Sequence, residues 1–434
     1  MSNKPEDPEG AAGGRRGMFA WALYDWASNA FNTVIQTFVF AAYFTQQVAA
    51  EPGPATSHWG YTLGSAGLVV ALSGPLLGSS IDQRGPRKPL MGVFTAICVV
   101  ATAFLWFVEP TAEHVWMALL LVWVATIGFE YASILYNSML PALVEWDRLG
   151  RWSGWGWTMG YAGGLLCLTS ALGLFVFGDA WLLPLDAEAA EDVRATFVFA
   201  ALWFLVFSLP FFLVTPDAPK SGKNWRTSAA DGWKSLKDTV RNVRSYADLV
   251  RFLIARIFYT DGLATLFAFG GVYAAGAFGM GTAEVLLFGI ALNVAAGIGA
   301  FAFSWVDDWI GSRRTILFSL VNLIVWGSLV LLVTEETLFW LFGMLLGVFV
   351  GPVQAASRSY LARAAPEPLR VQMFGLYALS GKATAFMGPL LVGLVTSLAD
   401  SQRVGMTVII GYFTIGLLIM LTVPEAKNQK GDSG

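Results

Sequence analysis

Apolar runs of about 20 residues recur along almost the whole chain, and each is long enough to cross the hydrocarbon core of a membrane as a helix. In the first half they lie near 18–48, 59–81, 89–109, 115–139, 153–177 and 195–214. In the second they lie near 250–275, 282–304, 314–334, 337–361, 371–398 and 405–423. In lipid every backbone N–H and C=O must find its partner inside the protein, so runs of this kind fold as helices. The expected fold class is therefore an all-α membrane protein with twelve transmembrane helices. Composition agrees, since 13% of the 434 residues are charged against about 25% in soluble proteins. A net charge of −3 gives no pull towards nucleic acid. Cys98 and Cys167 both sit inside apolar runs, so no disulfide framework is expected. The two histidines, His58 and His114, each stand close to a tryptophan at a run's edge. They leave little material for a zinc site or a histidine-based triad. No metal, cofactor or enzymatic activity is expected.

Basic residues set the orientation. Arg15 and Arg16 precede the first run; Arg84, Arg87 and Lys88 follow the second; Arg148 and Arg151 follow the fourth. Arg313 and Arg314 follow the eighth, Arg363 and Arg370 the tenth, Lys427 and Lys430 the last. Of the 27 Lys and Arg, only Arg194 and Arg403 fall in connections on the other side. Both termini are thus expected in the cytoplasm, which requires an even number of crossings. Residues 1–17 read as a disordered cytoplasmic N-terminus without a cleavable signal, and 425–434 as a cytoplasmic tail. Between them lie a six-helix bundle at 18–215, a polar linker at 216–249 and a second six-helix bundle at 250–424. In the linker, Trp233, Leu236, Val240 and Val243 recur at helical spacing among Lys234, Lys237, Arg241 and Arg244. This predicts an amphipathic helix, resting either on the membrane face or on the protein's own loops.

The halves repeat one another. Gly78-Ser-Ser-Ile-Asp82-Gln-Arg84-Gly85-Pro86-Arg87-Lys88 follows the second run, and Asp308-Trp-Ile-Gly311-Ser-Arg313-Arg314 follows the eighth. Arg151 with Trp155-Gly156 opens the fifth run, as Arg370 with Phe374-Gly375 opens the eleventh. The first of these loops resembles the signature loop of the major facilitator superfamily, with Gln83 and Pro86 where basic residues are common. A glycine there permits close helix approach, and an aspartate can face a neighbouring helix N-terminus. The gating set is Gly78, Asp82, Gly85, Arg87 and Lys88 with Asp308, Gly311, Arg313 and Arg314.

A narrower resemblance spans most of the chain. It rests on Trp21-Ala-Leu-Tyr24-Asp25-Trp26-Ala-Ser-Asn29 and on Leu149-Gly150-Arg151-Trp152-Ser153-Gly154-Trp155-Gly156-Trp157 with Gly160-Tyr161-Ala-Gly163-Gly164. It continues in Gly351-Pro352-Val-Gln354-Ala-Ala-Ser357-Arg358-Ser359-Tyr360, and in Phe374-Gly375-Leu-Tyr377 with Gly381-Lys382. Together these segments resemble the vacuole-effluxer-like family of major facilitators, which includes a fungal autophagy-related amino-acid effluxer. The resemblance implies the major facilitator fold and solute export by alternating access. It also implies that helices one, four, seven and ten line the central cavity.

Charges at membrane depth cost at least about 2.5 kcal/mol each, so they face a cavity or a partner. Asp25, Glu130 and Asp261 are candidates for proton coupling; each can equally be a packing or gating acid. Asp25 and Glu130 have no obvious local partner, whereas Asp261 has Lys382 or Arg256 as possible partners. Lys382 and Arg358 are candidates for binding a substrate carboxylate, although Arg358 is close enough to the membrane edge to snorkel. Asn29, Asn32, Gln36, Asn137 and Gln354 can contact solute or bond between helices. Gly156, Gly160, Gly163 and Gly164 read as a close-packing stripe, and Trp59, Trp106, Trp116, Trp181 and Trp340 as an aromatic belt. The expected function is a monomeric secondary transporter in a bacterial cytoplasmic membrane. Its partners are a small solute such as an amino acid, protons and the lipid bilayer, with no nucleic acid. A uniporter of the same fold and a membrane scaffold or sensor are the rivals.

Overall fold

A computed structural model describes residues 14–49, 52–177 and 185–426. Most of the expected N-terminal arm and tail, together with Trp181, lie outside the described residues. The helices are α1 (Arg15–Ala30), α2 (Pro52–Arg84), α3 (Lys88–Phe104), α4 (Val115–Leu143), α5 (Leu149–Ala171) and α6 (Glu191–Val214). Then come the linker helix α7 (Trp225–Arg241) and α8 (Ala247–Phe278), α9 (Thr282–Ile310), α10 (Ser312–Leu332), α11 (Glu336–Ala364), α12 (Arg370–Lys382), α13 (Met387–Ala399) and α14 (Gln402–Leu421). Among the described residues there is no strand.

Eleven helical segments are long and apolar enough to span a membrane. The twelfth span is the first one, where α1 runs on through the π-helical stretches Phe31–Phe38 and Phe44–Val48. Its polar residues Asp25, Asn29, Asn32 and Gln36 lower its hydropathy below that of the others. The eleventh span, expected as one helix, is two: α12 ends at Lys382 and α13 starts at Met387. Pro389 has no N–H, so the carbonyl of Ala385 loses its helical donor. Short three-residue bonds, from Ala385 N to Lys382 O and from Met387 N to Thr384 O, bridge the gap instead.

The halves meet at the end that carries the basic loops. There α2 packs on α12 and α5 packs on α9. Glycines set these approaches: a Cβ at Gly78 would run into the backbone of Val371 and Gln372, and one at Gly154 into Ala300 and Ser304. The stripe Gly156, Gly160, Gly163 and Gly164 presses on α1 and its π-helical continuation at Asp25, Trp26, Asn29 and Thr33, the close-packing role expected of it. Towards the opposite end the halves part. Gly60 and Gly64 on α2, Gly270 on α8 and Gly393 on α13 all face open space, and α13 packs on α8 and α14 of its own half.

The linker helix is capped by Asn224, whose side chain accepts from Thr227 N. It docks through its small residues, not its apolar stripe. Ser228, Gly232 and Thr239 are buried, with Gly232 against Ser79 and Ser80 of α2. Trp233 and Val240 stay exposed. The helix thus rests on α2 rather than on loops, with Trp233 and Val240 of its apolar stripe turned outward.

Candidate transport site and gate

Each signature loop reaches into the other half. Asp82, near the end of α2, accepts from the backbone N–H of Val371 (3.0 Å) and Gln372 (2.9 Å), the first turn of α12. Asp308, near the end of α9, accepts from Gly150 (2.7 Å) and Arg151 (3.0 Å), the first turn of α5. A carboxylate at a helix N-terminus satisfies donors that have no intrahelical partner and lies in the favourable field of the helix dipole. These two latches join the halves at the basic end. Gly85 and Gly311 turn the loops with φ of +101° and +94°, values that suit glycine.

The remaining gating residues brace the loops. The guanidinium of Arg87 donates to Ser138 O (2.9 Å), and Lys88 Nζ donates to Thr215 O (2.6 Å). Asp217 accepts from the backbone N–H of Arg87 and Lys88 and so caps α3. Glu425 does the same for α10 by accepting from Arg313 N. Arg313 also donates to Leu421 O.

Above the latches, two ion pairs cross between the halves. Arg358 of α11 is buried at 3% exposure, which corrects the snorkelling alternative. Its Nη1 lies 3.0 Å from both Asp25 Oδ2 and Asn137 Oδ1, and its Nε and Nη2 donate to Ser153. Tyr136 donates its hydroxyl to the same Asp25 oxygen (2.9 Å), and the ring of Trp21 lies 5.0 Å from the guanidinium. Asp25, which lacks a partner on its own helix, has one in the opposite half. So has Glu130: Lys382 Nζ stands 2.7 Å from its Oε1. Glu130 is nearly buried, but Lys382 is 40% exposed and sits at the break between α12 and α13.

Asp261 forms neither of the pairings open to it. Lys382 is taken by Glu130, and Arg256 donates to Tyr377 O (2.6 Å) and Ser380 Oγ (2.7 Å). Both carboxylate oxygens of Asp261 are buried without a hydrogen-bond partner.

The polar candidates divide. Gln36 donates to Thr126, Gln354 to Tyr161 across the halves, and Asn137 is held by Arg358, so these three tie helices together. Asn29 donates back to Asp25 O. Asn32 is exposed.

Sequence reasoning missed Asp307, which is buried and paired with Arg363 at 2.8 Å. It also missed Ser153, Tyr136 and the capping acids Asp217 and Glu425. The last two carry a readable signal, since Pro216-Asp217 follows the sixth span as Pro424-Glu425 follows the twelfth.

Two six-helix halves, latched by matched loops and parted at one end, define a major facilitator fold. Solved transporters share it. The proton:xylose symporter XylE superposes with a TM-score of 0.73 at 14% identity, covering 95% of this chain and 96% of that one. The human organic anion transporter MFSD10 gives 0.73 at 15%, covering 96% and 100%. FucP in its outward conformation gives 0.69 at 10%, covering 94% and 98%. Residues 54–432 match the model of the family described as "Vacuole effluxer Atg22 like", and the chain belongs to that family. YxiO of Bacillus subtilis (strain 168), an uncharacterized MFS-type transporter, is 30% identical over 415 residues, 94% of each chain. Autophagy-related protein 22 of Saccharomyces cerevisiae (strain ATCC 204508 / S288c) is 22% identical over 411 residues, 82% of this chain and 74% of that one. The protein is a multi-pass membrane transporter of the major facilitator type and not an enzyme.

Proposed function

We propose that the protein exports a small zwitterion, an amino acid or a close analogue, by proton-coupled alternating access. The observation that carries this reading is the Glu130–Lys382 pair. It joins opposite halves, and its lysine is open to the parted region. A substrate carboxylate can take the place of Glu130 on Lys382, and a substrate ammonium the place of Lys382 on Glu130. Each charge then keeps a partner while the link between the halves is undone. Breaking the pair with no replacement leaves the nearly buried Glu130 unpartnered, while water hydrates the half-exposed Lys382, so the exchange ties substrate binding to the rocking of the halves. Glu130, freed of Lys382, is the place where a proton can replace the solute on the return step. Asp25 is bonded on several sides by Arg358 and Tyr136 and holds the closed end.

In this reading both termini, the linker and the latched end face the cytoplasm of a bacterium, and the parted end faces outward. The protein works as a monomer. The basic residues at the latched end support the orientation. Single cysteines at Ser221 and Thr337 test it: an impermeant reagent on intact cells should label position 337 and spare 221, and the reverse pattern reverses the topology.

The function is tested with the purified protein in vesicles. Glu130→Gln should abolish proton-driven accumulation and weaken counterflow exchange without abolishing it, because exchange need not cycle the proton but loses the partner of the substrate ammonium. Full accumulation in Glu130→Gln would remove the proton role. A thermal-unfolding screen should show stabilisation by free amino acids and none by their amide or ester derivatives, which lack the carboxylate. Equal stabilisation by both would remove the zwitterion reading.

A further inference from the structure

Asp261 is the least expected group in the molecule. It is 1% exposed, lies on α8 at membrane depth, and has no hydrogen-bond partner for either carboxylate oxygen. A bare carboxylate there is costly, and a buried unsatisfied polar group calls for an unseen partner. The groups around it leave one type of partner open. Arg256, five residues earlier, spends its Nη1 on Tyr377 O and Ser380 Oγ, and its guanidinium lies 3.4 Å from the centre of the Tyr377 ring. Thr265 turns its hydroxyl back onto Asp261 O. Thr384 turns its hydroxyl towards the carboxylate without reaching hydrogen-bond geometry, and Tyr412 brings a second buried hydroxyl without a partner close by.

Thr384 belongs to the break between α12 and α13. Broken helices in transporters expose carbonyls that bind small cations. Pro389 adds to the break by withholding the N–H that the Ala385 carbonyl would otherwise accept, although Pro75, Pro141, Pro210 and Pro352 sit inside helices that stay continuous. The break therefore places an unpartnered hydroxyl beside Asp261 and leaves a free carbonyl one residue further along the chain. All the available ligands are hard oxygens, and just one of them is formally charged. That set suits a monovalent ion better than a divalent ion, which favours several carboxylates.

We propose that Asp261, Thr384 and the unwound backbone around Ala385 form a binding site for a sodium ion. The site stands apart from the Glu130–Lys382 pair and does not depend on the zwitterion or proton readings. It does link to them in space, because Lys382 is the last residue of α12 and Thr384 lies two positions beyond it. An ion that orders the break also orders the base of Lys382.

The test uses the full-length purified protein at fixed pH and ionic strength, with sodium chloride exchanged for choline chloride. Sodium should raise the unfolding temperature in a saturable way, and direct binding of radioactive sodium should saturate over the same range. Asp261→Asn should lose both responses while folding normally in choline. Thr384→Val should weaken sodium binding by about tenfold, the loss of roughly one good ligand contact. Asp238→Asn, an exposed acid on the linker helix, should respond as the wild type does. No sodium response in the wild type overturns the proposal. So does a response that Asp261→Asn retains, or one that a change of pH reproduces in the absence of sodium, which would mark Asp261 as a proton carrier instead. Because binding is read without any transport, failure here leaves the transport reading intact, and failure of the zwitterion screen leaves this site intact.

Discussion

The two latches at the basic end look alike in sequence and differ in construction. Asp82 holds α12 by two backbone N–H groups, and no guanidinium is within ion-pair distance of it among the described residues. Asp308 holds α5 in the same way, but it is also 2.9 Å from Arg363, which binds Asp307 at 2.8 Å. Ser312 and Ser359 close that network by donating their hydroxyls to Asp307. One latch is a carboxylate on a helix end; the other is a helix end anchored to a buried cluster of charges. The loop occurs twice in the sequence, and among the described residues only the second copy is backed by an acid–arginine core. The α2–α12 latch thus rests on two backbone bonds, where the α5–α9 latch has a buried charge cluster behind it.

The largest effect is expected for Arg363→Ala. It leaves Asp307 buried without a counter-ion and Asp308 with only Arg151 at 3.7 Å, which should destabilise the protein by about 3–5 kcal/mol. Thermal unfolding of purified protein measures this, and a loss below about 1 kcal/mol would show that the cluster does not anchor the second latch.

Asp82→Ala comes next. It removes two charge-assisted bonds at a helix N-terminus, about 1–2 kcal/mol, and should do so mainly in the latched state. Folding should survive while the population shifts roughly tenfold towards opening at the basic end. Cysteine accessibility at Gln372 reports the shift, alongside impaired transport. Normal transport at normal expression would deny Asp82 its gating role.

Gly78→Ala sharpens the same contrast. The added methyl meets the backbone of Val371 and Gln372, so it should part the α2–α12 seam at a cost of about 1–3 kcal/mol. The smallest effect is expected for Arg151→Gln. Its guanidinium is partly exposed and 3.7 Å from Asp308, a geometry worth less than about 1 kcal/mol. If this change matched Arg363→Ala, the buried cluster would not be what distinguishes the two latches.

The sequence made the latches legible because their elements are local. A glycine, an aspartate four residues on and a glycine turn lie within one loop, and both loops recur at matching places. The capping acids were legible in principle through the repeated Pro-acid step. The ion pairs were not. Asp25 and Arg358 stand 333 positions apart, and nothing in a single sequence says which base of one half will face which acid of the other. Asp261 shows the converse limit: Lys382 and Arg256 were plausible partners by charge, but the fold commits both elsewhere. The broken eleventh span was hidden too, because Pro389 alone is compatible with a continuous kinked helix. The linker helix was legible as amphipathic, but its docking face was not. Packing selected its small face, since Gly232 fits against α2 where a larger residue would not.

That docking also settles how much slack joins the halves. The linker helix is seated on α2 through Gly232, yet it touches α12 through a single long bond, from Ser235 Oγ to Gln372 Oε1 at 3.4 Å. Its allegiance is to the first half. If the halves rock as proposed, α7 would travel with the first, and the bond to Gln372 would break. The working tether is then not the long polar linker but the short turn Val243–Tyr246 that follows the helix. Such a tether acts as a hinge pin rather than a rope: it permits rotation about the seam and allows the halves almost no freedom to drift apart.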